Sequence, residues 1–181
     1  AQMDAQDPEL RAIRIQIAQL ITRAGRAAEA VPLLRQALAR AEGDAGVDSL
    51  AVADALDALS ASLLALGGQG VEVESLAQRA VAIRRVRQGG THPDTLCSGH
   101  CVAVAVGQQQ RRSEALQLMK AILARRREVQ GNNHPLTLRA MHNYASQLSQ
   151  ADRVAEAAAI TREVYQRRLK DLGPDALDVY S

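Results

Sequence analysis

Tryptophan and phenylalanine are absent from this 181-residue chain, and tyrosine occurs only three times. A core without large aromatics must be built from small and aliphatic side chains, which favours helices packed at close range. Two cysteines cannot define a disulfide framework. No apolar run reaches the length needed to cross a bilayer. A formal net charge of +2 argues neither for nor against a nucleic-acid partner. No signal peptide is visible. The chain begins Ala1-Gln2 rather than with an initiator Met, so it reads as a segment excised from a longer protein, whose targeting signal or membrane span could lie elsewhere. The compartment stays open between cytoplasm and periplasm. The abundant residues, Ala, Leu, Val, Gln and Arg, are mostly good helix formers, and the β-branched and aromatic share is modest. The expectation is all-α.

What the chain does contain is a repeated phrase. "GGTHPDTL" runs from Gly89 to Leu96 and "GNNHPLTL" from Gly131 to Leu138, with Gly, His, Pro, Thr and Leu in register 42 positions apart. Each phrase is followed by a helical pattern that breaks at a polar stretch, Gln108 to Ser113 or Ser149 to Arg153. After each break comes Glu-Ala (Glu114-Ala115, Glu156-Ala157), then a basic run, then Gly131 or Gly173. A helix, a tight turn, a second helix and a closing glycine describe one αα-hairpin. The frame extends backward. Gly67-Gly68-Gln69-Gly70 is the turn of an earlier unit closed by Gly89, and Gly25-Arg26 the turn of a first unit closed by Gly46. The units are about 8–46, 47–89, 90–131 and 132–173, within one domain spanning 1–181, and residues 174–181 read as the start of a fifth helix or a cap. Pro8, Pro93, Pro135 and Pro174 sit at or beside helix starts, where a missing N–H costs nothing. The runs Arg84-Arg85-Val86-Arg87, Arg125-Arg126-Arg127 and Arg167-Arg168-Leu169-Lys170 lie at helix C-termini and read as solvated ends that complement the helix dipole. With so few aromatics to stack on bases, nucleic acid is not an expected partner.

A small residue late in the first helix and Ala early in the second resemble the tetratricopeptide repeat. Ala18, Ala103 and Ala145 match the first position, with Ser60 or Ala61 in the second unit. Ala30, Ala115 and Ala157 match the second position, and Val73 departs from it. The 42-residue period and the phrase G-x-x-H-P-x-T-L…N-Y-A are similar to the kinesin-light-chain type of that repeat. The fourth unit matches best through His134, Pro135, Thr137, Leu138, Asn143, Tyr144 and Ala145, while the third has Cys101 where Asn143 stands. The resemblance covers about residues 8 to 173. It implies a right-handed α-solenoid of four antiparallel helical hairpins, in which neighbours share one core because no hairpin buries its apolar face alone. It also implies similarity to modules attached to bacterial kinases, ATPases and transcription regulators. The scarcity of lysine, found only at Lys120 and Lys170, fits a high-GC bacterial source.

Little in the chain invites catalysis. There is no phosphate-binding loop between strand and helix, no Ser-His-Asp set and no convincing carboxylate pair. Neither cofactor nor metal is expected. His92, Cys97, His100 and Cys101 could in principle complete a zinc tetrahedron, but His92 and His100 line up with His134 and His142, so repeat position accounts for both. Cys97 and Cys101 lie one helical turn apart, near the upper limit a disulfide spans. Buried or half-buried thiols are expected.

Binding remains. The resemblance places the first helix of each hairpin on a concave face, and with it Ile15, Gln16, Gln19 and Arg23, then Asp54 and Asp57, then Cys97, His100, Cys101, Val104 and Gln108, then Arg139, His142, Asn143, Ser146 and Gln150. An asparagine at the Asn143 position can hold an extended peptide backbone, since its amide both donates and accepts. Arg139 could take a carboxylate. The expected partner is a protein or peptide held in this groove. Two alternatives stand beside it: a docking domain of a larger signalling protein, and a homodimer through an uncapped stack end.

Overall fold

The computed structural model describes residues 8–67 and 70–172. Among them are eight α-helices: α1 Pro8–Arg23, α2 Ala27–Ala45, α3 Leu50–Leu66, α4 Gly70–Arg87, α5 Pro93–Gln108, α6 Arg112–Gln130, α7 Pro135–Gln150 and α8 Val154–Leu172. The architecture is all-α, as composition predicts. The fifth helix or cap expected at 174–181 lies outside the described residues.

The helix ends explain the recurrent phrase. His92 and His134 are N-caps, whose Nδ1 atoms accept from the Asp94 and Leu136 backbone N–H groups at 3.3 and 3.2 Å. Pro93 and Pro135 then open α5 and α7, and Pro8 opens α1. Gly131 closes α6 at φ 82, and its backbone N–H reaches the Arg127 carbonyl at 3.1 Å. That left-handed conformation is the one a Cβ disfavours. Thr95 turns its hydroxyl back to the Gly89 carbonyl at 2.9 Å, pinning the loop before α5. The turns inside hairpins also repeat. Gly25, Gln110 and Asp152 take positive φ there. Arg26–Glu29, Arg111–Glu114 and Arg153–Glu156 each form a two-pronged ion pair across the start of the second helix. One proline breaks the pattern. Pro32 lies inside α2, where its missing N–H leaves the carbonyl one turn back without its usual donor.

The chain divides into two compact units, Ala1–Gln110 and Arg111–Ser181. The division falls in the α5–α6 turn rather than between hairpins, a boundary the repeat pattern does not mark. In unit 1, α1 to α5 pack each on the next, and α3 also touches α1 and α5. Short turns between packed neighbours make the pairs antiparallel. Its core is aliphatic: Ile15, Ala18, Leu34, Ala37, Ala55, Leu59, Leu63 and Val73 form one cluster, and Ala41, Val52, Leu56, Ala80 and Ile83 another. In unit 2, α6 packs on α7 and α7 on α8. Both tyrosines of the described residues are here, Tyr144 buried in α7 and Tyr165 exposed on α8.

The basic runs depart from the expectation of solvated ends. Arg84 is only 4% exposed and Arg126 only 2%. Arg127 reaches Glu163 at 3.2 Å, and Arg167 reaches Glu163 and the Asn133 side chain. Long aliphatic stems let guanidinium groups cross to carboxylates on other helices, so packing overrides the dipole reading. Arg85, Arg125 and Arg168 are exposed as expected.

Candidate functional site

Each first helix of a hairpin carries its candidate residues along one stripe, because positions three, four and seven apart share a helix face. In unit 1, Gln16 and Arg23 of α1 are exposed and Gln19 is half-buried, whereas Ile15 belongs to the core. On α5, Cys97, His100, Cys101 and Val104 are half-buried and Gln108 is exposed. Both cysteines remain thiols. Among the described residues no three metal-ligating side chains come together, and His92 spends its Nδ1 on capping.

Asp54 and Asp57 are present on the α3 stripe but already engaged. Arg84 of α4 donates from Nε to Asp57 Oδ2 at 2.9 Å and from Nη2 to Asp54 Oδ1 at 2.6 Å. Ser98 of α5 adds its hydroxyl to Asp57 Oδ2 at 2.8 Å. Three helices are thereby joined by one polar network. Burial pushes the Asp57 carboxyl above the usual carboxylate range, against the Ser98 hydrogen bond and the charge of Arg84. Burial also opposes charge on Arg84, but Asp57 and Asp54 outweigh it and hold the guanidinium pKa up. Charge is thus disfavoured on Asp57 and favoured on Arg84, and Asp57 keeps a buried oxygen, Oδ1, that no donor reaches. The network contributes structure, and the negative charge of Asp54 and Asp57 is countered by Arg84. Arg84 and Ser98 were not among the expected site residues. The recurrence of arginine at Arg84 and Arg126 was the only sequence signal.

In unit 2 the α7 stripe is mostly exposed to solvent. Arg139, His142, Ser146 and Gln150 are exposed and Asn143 is half-buried. Gln150 Nε2 donates to Ser146 Oγ at 3.5 Å. Beside the stripe lies a groove of about 660 Å³ between α7 and α8. His142, Ser146 and Ser149 form one wall, and Val154, Thr161, Arg162 and Tyr165 the other. The α8 wall was not foreseen, since its residues belong to the second helix of the hairpin.

Residues 98–136, from within α5 through α6 to the start of α7, match the family model of the tetratricopeptide repeat. That segment is a tetratricopeptide repeat by this match. The folds of solved tetratricopeptide-type structures agree. A kinesin light chain-like protein of Podosopora anserina with nearly identical TPR-like repeats is 24% identical, at a TM-score of 0.70, covering 92% of this chain and 78% of that one. A point variant of that protein gives 0.74 at the same identity and coverage. BtubC (BKLC) from P. vanneervenii gives 0.76 at 19% identity, covering 93% of this chain and 67% of that one. No curated protein sequence matches the chain. A tetratricopeptide scaffold is a protein-interaction fold, and among the described residues no helix is long and apolar enough to cross a membrane.

Proposed function

We propose that the chain is a non-catalytic scaffold that holds an extended protein segment along the α7 stripe. The observation that carries this reading is the stripe itself: five polar side chains on one face, bordered by a groove with an exposed apolar wall. Asn143, half-buried on the same stripe, has an amide that can both donate and accept. Arg139 supplies a cation for an acidic side chain or terminal carboxylate. Val154 and Tyr165, 62% and 51% exposed, offer contact area to an apolar side chain. In unit 1 the same register provides Gln16, Gln19, Arg23 and Gln108 for contacts of this kind, whereas Asp54 and Asp57 are held by Arg84.

The test is a pull-down from source-cell extract with the chain and with an Arg139→Glu/Asn143→Ala variant, read by mass spectrometry. A partner held by the first and lost by the second supports the stripe. A partner held equally by both removes these residues from the site.

A further inference from the structure

One joint between helices is built differently in two successive repeats. α4 and α6 begin 42 residues apart, and so do α5 and α7. The joint of α4 with α5 is filled. Gln109 lays its side chain over Gly70, where an added Cβ would come within 3.0 Å of the Gln109 Cγ. Glu74 holds that amide, accepting from Gln109 Nε2 at 2.7 Å and from Gln78 Nε2 at 3.0 Å. At the joint of α6 with α7 all of these positions change. Ala151 stands for Gln109, Arg112 for Gly70, Leu116 for Glu74 and Lys120 for Gln78, and Tyr144 replaces Val102.

The change removes a plug and a carboxylate and adds two cations. What it leaves is a pocket of about 360 Å³. The pocket lies between α6 and α7, helices of consecutive hairpins, and is no stack end. Tyr144 and Leu116, 9% and 7% exposed, form its buried lining. Arg112, Lys120 and Arg153 border it with the Ser113 hydroxyl and the Gln117 amide, all of them exposed. Neither Arg112 nor Lys120 forms an ion pair among the described residues. Arg153 is held by Glu156 in its two-pronged pair, and the charge of Lys120 also reaches that carboxylate. Three positive charges face one negative charge, so two are unanswered. A carboxylate ligand would answer only one of them. A phosphoryl group, with a charge of about −1.5 to −2 at neutral pH, matches the surplus. Its oxygens accept from guanidinium, ammonium, hydroxyl and amide donors alike.

We infer that this pocket binds a phosphoryl group, carried on a phosphorylated side chain of a partner protein or as free phosphate. Arg112 and Lys120 answer its charge, Ser113 and Gln117 donate to its oxygens, and Tyr144 with Leu116 shields one side from water. Neither Arg139 nor Asn143 lines the pocket, so this inference and the α7-stripe reading fail separately.

The whole chain is titrated with inorganic phosphate, read by phosphorus NMR line broadening, and screened on an array of random peptides with a central phosphoserine. Matching arrays carry serine or glutamate at that place. Selected phosphopeptides should bind at least about tenfold more tightly than either counterpart. Arg112→Gln/Lys120→Gln should weaken them at least about tenfold. Ala151→Gln keeps every charge but restores the plug seen at Gln109, and should weaken them as well. The charge-matched control Arg168→Gln/Lys170→Gln should bind as the parent does. Arg112 and Lys120 are exposed, so far-UV ellipticity of their variant should match that of the parent. The same pattern with inorganic phosphate, and no peptide bound, assigns the pocket to the free ion. No binding of either probe, equal binding of the serine or glutamate peptides, or equal loss in the charge-matched control overturns the inference. An Ala151→Gln protein that binds as the parent does moves the ligand out of the pocket and overturns it too.

Discussion

Replacing Arg84 by methionine keeps the aliphatic stem of a buried side chain and removes its charge. Asp54 loses a 2.6 Å partner and Asp57 a 2.9 Å one. Breaking a buried ion pair from one side typically costs about 3–5 kcal/mol. Here solvent relieves part of the loss, because the Asp57 side chain is 21% exposed and that of Asp54 56%. The expected destabilisation near neutral pH is about 2 kcal/mol once that screening is allowed for. The size of the deficit should depend on pH in a definite direction. Burial already raises the Asp57 carboxyl, and loss of Arg84 removes one of the groups that pull it down. A carboxyl with a folded-state pKa above its unfolded value binds protons more tightly when folded. Stability therefore falls as pH rises from the unfolded value through the folded one. The deficit of Arg84→Met should be smallest in acid, where Asp57 is protonated in both proteins, and grow toward neutrality. Urea titrations followed by far-UV ellipticity, from about pH 4 to 7, measure it. Adding Asp57→Asn should recover most of the loss. A deficit that ignores pH, or that stays below about 0.5 kcal/mol at neutral pH, refutes the role assigned to the network.

Three smaller effects follow from the backbone. His134→Ala should cost about 1 kcal/mol by urea titration, and His134→Asp should restore it, since either side chain can accept from the Leu136 N–H. Asp152→Gly should stabilise by up to about 1 kcal/mol, while Gly25→Ala should cost about 1–2, because both positions hold positive φ and no neighbour crowds Gly25. Pro32→Ala should stabilise by up to about 3 kcal/mol, read as a higher melting temperature, as an exposed helix-interior proline gives way to the best helix former.

The helices were legible because their punctuation is local. Pro8, Pro93 and Pro135 mark starts, Gly46, Gly67 and Gly131 mark ends, and the turns fall at the polar breaks between paired helices. Capping by His92 and His134 was not legible in itself, as histidine lies outside the usual set of N-cap residues. Pro32 would have argued for a helix end inside α2, yet α2 runs through it. The α7 stripe followed from helical spacing plus the family resemblance. The engagement of Asp54 and Asp57 did not, because Arg84 reaches them from another helix across 30 and 27 residues of chain. A basic run at a helix end looks the same in sequence whether its guanidinium groups meet water or a neighbouring carboxylate.

The placement of the tyrosines gives the chain two optical halves. All three, Tyr144, Tyr165 and Tyr180, follow residue 110, and there is no tryptophan or phenylalanine anywhere. Near-ultraviolet absorbance and fluorescence therefore report on the Arg111–Ser181 unit alone, with buried Tyr144 as the sensitive chromophore. The peptide signal in the far ultraviolet counts helices from both. One unlabelled sample observed at two wavelengths thus carries separate readouts, and a single tryptophan introduced before residue 110 would light the half that is dark.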